Sequence, residues 1–156
     1  MKKTFFYLCA LVVIASCSGS QNKTTPADDS ASTEVAGNSV DYKIAEKYFI
    51  KNDVTTVPSS VKDQAAFDSY FGAASVMGEN GTPTKIDFSK EYVIVVSHDP
   101  TNKQIEIKPL ALSQGGGNIT LDYTETEGEE QSFTQRPLLM LIVDKKYDGN
   151  VLLNKK

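Results

Sequence analysis

At 156 residues, with a formal net charge of −4, one histidine and no tryptophan, the chain has room for one domain of ordinary size and is mildly acidic. That balance argues against a nucleic-acid partner, which would require a basic face. No Walker loop, dinucleotide fingerprint, paired-histidine zinc motif, calcium-loop spacing or internal repeat occurs, so no cofactor is expected.

Residues 1–16 read as a signal peptide: Lys2 and Lys3 precede an apolar run from Phe5 to Ala15. The run is about half of the roughly 20 apolar residues that a membrane span needs. It closes on Ile14-Ala15-Ser16-Cys17, which resembles a bacterial lipobox, so the mature chain is expected to begin at an acylated Cys17. Two or three acyl chains hold a protein at a bilayer stably where one chain is marginal. Cys9 falls in the discarded segment, which leaves no thiol for a disulfide, a metal site or a nucleophile. Ser18 in place of an aspartate favours the outer membrane, on either its periplasmic or its cell-surface face.

Residues 17–41 are rich in Ser, Thr, Asn, Asp, Ala and Gly, a composition that buries too little to offset its ordering entropy. They are expected to form a flexible tether. Within it Asp29-Ser30-Ala31 resembles the short O-glycan acceptor motif of Bacteroidetes. Residues 42–156 carry the returning aromatic and branched side chains, with thirteen Lys or Arg against sixteen Asp or Glu, and are expected to form one domain.

Along that domain Ile44 to Asn52 predicts a strand, and Ser59 or Ser60 is placed to cap a short helix bearing Val61, Ala65, Phe67, Tyr70 and Phe71. Gly72 stands where a left-handed helix C-cap is expected, and residues 78–83 read as a loop. Tyr92 to Val96 is apolar enough for a central strand buried on both faces. After a turn at Asp99 to Asn102, Ile105 to Leu112 predicts a strand in which Pro109 requires an edge or a bulge. Gly115-Gly116-Gly117 turns the chain into an alternating strand through Ile119, Leu121 and Tyr123. Glu125 to Glu130, with Gly128 in its middle, reads as an acidic hairpin tip before the apolar strand Leu138 to Val143. Asp148-Gly149 predicts a hairpin into Val151 to Leu153. The expected class is α+β: one short helix on a curved antiparallel sheet or small β-barrel.

The inventory for catalysis is short. His98 is the sole histidine and Asp99 is too near along the backbone to orient it in a triad, so no enzyme is expected. Glu125, Glu127, Glu129 and Glu130 lack a calcium-loop pattern and read as a solvated turn. The tyrosines at 42, 48, 70, 92, 123 and 147 read as half-buried sheet residues in preference to a sugar platform. The binding candidate is the loop Asp99, Pro100, Thr101, Asn102 and Lys103, since its proline restricts the backbone and Lys103 offers a basic anchor. Met77 and Arg136, the only arginine, are secondary candidates.

The stretch Ile86 to Val96, then Ile105-Glu106-Ile107, then Gln131 to Val143 with Arg136-Pro137, resembles the C-terminal domain of the protease-complex lipoprotein PrcB. Where that family has Pro-Thr-Gly-Gly-Tyr after the first strand, this chain has Pro100-Thr101 followed by Asn102, Lys103 and Gln104. The layout of signal, lipobox, tether and single β-rich domain is similar to that of the potempins, lipid-anchored protease inhibitors of Bacteroidetes. The resemblance implies a secreted serine protease, trypsin-like or subtilisin-like, as partner, either inhibited by the Asp99–Lys103 loop or held in a surface complex without being blocked. A small-ligand-binding lipoprotein using a barrel mouth is the remaining alternative.

Overall fold

Ten strands and one helix follow in chain order in the computed structural model, which describes residues 37–74 and 81–156. They are β1 (Asn38–Ser39), β2 (Tyr42–Ile44), β3 (Tyr48–Ile50), β4 (Ser60–Val61), α1 (Gln64–Tyr70), β5 (Phe71–Ala73), β6 (Glu91–Ser97), β7 (Thr101–Gly115), β8 (Asn118–Gln135), β9 (Leu138–Asp144) and β10 (Asn150–Lys155). The signal, Cys17, most of the tether, Ser30 and Met77 lie outside the described residues.

The two apolar runs become β6 and β9, paired antiparallel from Glu91↔Asp144 to Ser97↔Leu138. Each is covered on both faces, as their unbroken apolar character requires. Together with β2 and β4 they form one four-stranded sheet, in the order β2-β9-β6-β4. The excursion between β6 and β9 is itself a hairpin, β7 against β8, closed by Gly116 and Gly117 at φ 59° and 79°. Two consecutive left-handed residues match the right-handed twist of the flanking strands, which is why glycine occupies both. Both ladders belong to one long ribbon, continued across its bend by the His98 N–H donating to the Pro137 carbonyl at 2.9 Å.

Folding this ribbon on itself builds the core. Tyr92, Ile94, Val96, Leu139, Leu141 and Val143 meet Leu112, Ile119 and Leu121 from the second sheet, β1-β7-β8-β10. The alternate residues Val93, Val95, Met140 and Ile142 face the other way, onto Phe67 and Phe71 and the small β3–β5 sheet. The domain is therefore mostly β, in three layers, with one seven-residue helix.

Several expectations are corrected. The sheets are open and no barrel closes; the last strand is parallel, β10 running beside β8 from Asn150↔Asn118 to Lys155↔Tyr123. The Asp148-Gly149 hairpin is absent because β9 already has β2 and β6 on its two sides, so the chain crosses to the other sheet. The expected strand from Ile44 to Asn52 divides into β2 and β3 around Lys47 at φ 65°, and the pieces join different sheets. The sheet also begins inside the stretch read as tether, with Asn38↔Gln114 paired and Val40 only 2% exposed.

Asp63 caps the helix in place of Ser59 or Ser60, its carboxylate accepting from the Ala66 N–H at 2.8 Å. Ser60 and Val61 pair with β6 instead, where β-branched Val61 is buried. Gly72 is no left-handed cap but a strand residue opposite Phe49, whose ring covers it closely enough that a Cβ would stand 2.4 Å from Cζ.

Candidate functional site

Further along the ribbon the outer strands end, although Ile107 still packs against the core. Strand β1 covers β7 only at Ser113 and Gln114, and β10 covers β8 only from Asn118 to Tyr123. Residues 101–111 and 124–135 thus form a two-stranded arm whose outer edges pair with no other strand among the described residues, and none of them is fully buried. Exposed edges of this length offer rows of unpaired backbone donors and acceptors.

The pairing inside the arm is irregular. Leu110 is extra on β7 between Pro109↔Tyr123 and Ala111↔Asp122, the bulge that Pro109 predicts. On β8, two residues oppose Gln104 between Lys103↔Glu130 and Ile105↔Glu127, and four, Gln131 to Thr134, oppose Asn102. Phe133 lies on that larger bulge and, at 57%, is the most exposed large apolar side chain among the described residues. The supposed acidic tip is consequently strand: the turn falls at Gly116-Gly117, and Thr124-Glu125-Thr126-Glu127 pair with Lys108 to Ile105.

The glutamates are partly neutralised along the strand. Lys103 Nζ lies 2.6 Å from Glu127, and this hydrogen bond holds the Glu127 carboxyl below its ordinary value while raising the Lys103 ammonium. Lys155 pairs with Glu125, again raising the lysine. Asp122 is buried and lies 3.2 Å from Lys156 Nζ, so the acidity of the β8 edge rests on Glu129 and Glu130, which make no ion pair among the described residues, in a stretch without Lys or Arg from residue 109 to 135.

At the foot of the arm the bend forms an open cleft of about 430 Å³, whose wall includes Lys51, Asn52, Asp99, Pro100, Gln135 and Arg136. Arg136 reaches from the bend to the segment after β3, Nη1 donating to the Val54 carbonyl at 2.5 Å and Nη2 to the Thr55 carbonyl at 2.6 Å. It makes no ion pair among the described residues, so its charge is met by carbonyl dipoles alone.

The candidate loop is split by this geometry. Asp99 and Pro100 stay in the bend and share the cleft with Arg136, whereas Thr101, Asn102 and Lys103 belong to β7. Thr101 Oγ1 accepts from the Lys103 N–H at 3.1 Å, and the Lys103 carbonyl accepts from Gln135 Nε2 at 3.0 Å. Lys103, the expected basic anchor, is engaged by Glu127 in an exposed pair. Sequence reasoning missed the open β8 edge and Phe133. The Thr/Glu alternation from Thr124 to Glu127 is their visible signal, since β-branched residues at period two favour a strand.

His98 Nδ1 lies 2.7 Å from the Asp99 carbonyl oxygen, a local contact just past the end of β6. Among the described residues no group of three or more His, Cys, Asp or Glu could hold a metal ion, and no helix is long and apolar enough to cross a membrane. Comparison with family models, with characterised proteins and with solved structures yields no match to this chain.

Proposed function

We propose that this chain is a non-catalytic, lipid-anchored outer-membrane protein that binds a secreted serine protease through strand addition to the open β8 edge, with Phe133 as its apolar anchor. The observation that carries this reading is the arm: residues 124–135 leave a long open edge that no other described strand covers. Two-stranded ribbons are marginal on their own, and extended partner segments dock on such edges through main-chain hydrogen bonds. The protease as partner is supported by the resemblance carried by residues 86–96, 105–107 and 131–143, and the anchor by the lipobox ending in Cys17. We favour strand addition over insertion of the Asp99–Lys103 loop because Thr101, Asn102 and Lys103 belong to β7. It serves inhibition if the edge runs into the protease's cleft, and assembly if it runs beside it.

The test is titration of the mature chain, carrying Cys17→Ser to stay in solution, against trypsin-like and subtilisin-like proteases, with complex formation and peptide cleavage followed together. Binding that Phe133→Ala weakens by roughly tenfold or more, as for an interface anchor, while Lys103→Ala leaves it unchanged, supports the edge. Absence of any complex at micromolar concentrations defeats the reading. Reliance on Lys103 in place of Phe133 would return the contact to the loop.

A further inference from the structure

The other edge of the arm carries different chemistry. Along β7 the side chains alternate, so Lys103, Ile105, Ile107 and Pro109 share the half-covered face while Gln104, Glu106 and Lys108 share the exposed one. Across the ladder Glu106 is opposite Thr126 and Lys108 opposite Thr124, so neither charge meets an opposite charge on β8. Among the described residues their ion pair is with each other along the strand, Lys108 Nζ to Glu106 Oε1 at 3.0 Å and well exposed.

The sequence Ile105-Glu106-Ile107-Lys108-Pro109 is complementary to itself when reversed. An antiparallel partner with the same sequence, related by a two-fold axis through Ile107, places Ile107 against Ile107, Ile105 against Pro109 and Glu106 against Lys108. Apolar side chains then meet apolar ones on one face, and two opposite-charge pairs form on the other. Residues directly opposite in an antiparallel pair share a face and interact in this way. We infer that the free edge of β7 is a self-association surface, at which a second copy of this chain adds its own β7 in this register to make a four-stranded sheet β8-β7-β7-β8.

The occupant follows from the charges. Self-pairing of the β8 edge would bring glutamates onto glutamates, and like charges directly opposite are destabilising. The bulge at Leu110 and the missing N–H of Pro109 end the register after five residues, which stops the edge from recruiting a third chain or growing further. A two-fold contact of this kind is closed, and both β8 edges remain outside it. The inference goes beyond the proposed protease partner and does not depend on it.

Cysteine cross-linking in the full-length chain, expressed with its own leader, tests the register. Ile107→Cys places two thiols directly opposite, at a Cα separation of about 4.5–5.5 Å that a disulfide can span. The expected result is a disulfide dimer on non-reducing gels that the unsubstituted chain, with its Cys9 and Cys17, does not give. Gln104→Cys, facing Leu110 of the other copy, should give little. Glu106→Lys in the Ile107→Cys background should reduce the dimer about fivefold, by setting like charges opposite, and adding Lys108→Glu should restore it. Should Ile107→Cys perturb folding, co-expression of a Glu106→Cys chain with a Lys108→Cys chain should yield the mixed disulfide where neither alone does. Absence of any Ile107→Cys or mixed dimer above the control, equal yields at residues 104 and 107, or indifference to Glu106→Lys would overturn the inference.

Discussion

Tyr92 packs its ring into the core between the two large sheets, yet its hydroxyl is buried with no hydrogen-bond partner. Burial, with a smaller contribution from the Asp148 carboxylate, pushes its pKa up to about 12. Because the folded-state value lies above the ordinary one, the neutral phenol favours the fold fully below about pH 10, and that contribution disappears as pH rises toward about 12. The alkaline loss should amount to on the order of 2 kcal/mol. Tyr92→Phe removes both the orphaned hydroxyl and the titration. It should leave stability at pH 7 equal or raised by about 1 kcal/mol and flatten the profile between pH 10 and 12, as denaturant midpoints would record. A steeper alkaline loss in the variant would show that the phenol is satisfied and that another group titrates. The sequence places Tyr92 on a buried strand, but its isolation depends on Tyr147 and Asp148, which arrive from the far end of the chain and share a small surface cleft with it. Arg136 is the parallel case. Its singularity suggests a role, while its carbonyl partners, Val54 and Thr55, lie some eighty positions earlier in a segment that reads as nothing in particular.

At the scale of elements, legibility follows the range of the interactions that decide each one. Strands β6 and β9 are readable because continuous apolar character records burial on two faces, and the bulge after Pro109 is readable because the missing N–H is local chemistry. Gly128 reads as a tip because its acidic neighbours look solvated. A turn and an exposed edge strand expose the same polar side chains, and only the partner ladder from Lys103 to Lys108 separates them. The cleft was half legible for a related reason, with Asp99, Pro100 and Arg136 singled out but Lys51 and Asn52 joined to them only by the bend. Strand β10 was the least legible, because its direction is fixed by a backbone contact. A Cβ on Gly149 would stand 2.8 Å from the Gly117 carbonyl oxygen, and Asn150 N–H donates to that same oxygen at 3.0 Å. The oxygen belongs to the rigid hairpin turn and has no flexible end to yield, so Gly149→Ala should cost about 1–3 kcal/mol. The loss should concentrate in β10. In hydrogen exchange the amides of residues 150–155 should lose protection while those of β6 and β9 keep theirs, and uniform loss would mean that β10 is integral to the core.

For the whole molecule, the central sheet belongs to two cores at once, and they should fail in different ways. Ile94 faces the second large sheet, and Phe67 faces the other side of β6 and β9 from the helical layer. Helix α1 spans seven residues, too few to stand alone, so its layer depends on Phe67 touching Tyr48, Phe71 and Phe88 with ring centroids 5.1, 4.9 and 5.3 Å away. Deleting a large buried side chain costs about 3–5 kcal/mol for phenylalanine and about 2–5 kcal/mol for isoleucine. Phe67→Ala should release α1, β3 and β5 as a unit, while β7 and β8 keep their ladder and their packing on Ile94. Ile94→Ala weakens the contact between the two large sheets, and because the strands carrying Ile94 also back the second core, it should lower protection everywhere. Native-state hydrogen exchange separates the two. The Phe67→Ala protein should show a low-energy opening confined to residues 48–73, with slow exchange persisting at Leu112, Ile119 and Leu121. If those three amides open together with the helix, the three layers form one cooperative unit, and the arm would owe its order to the helical layer as much as to the sandwich.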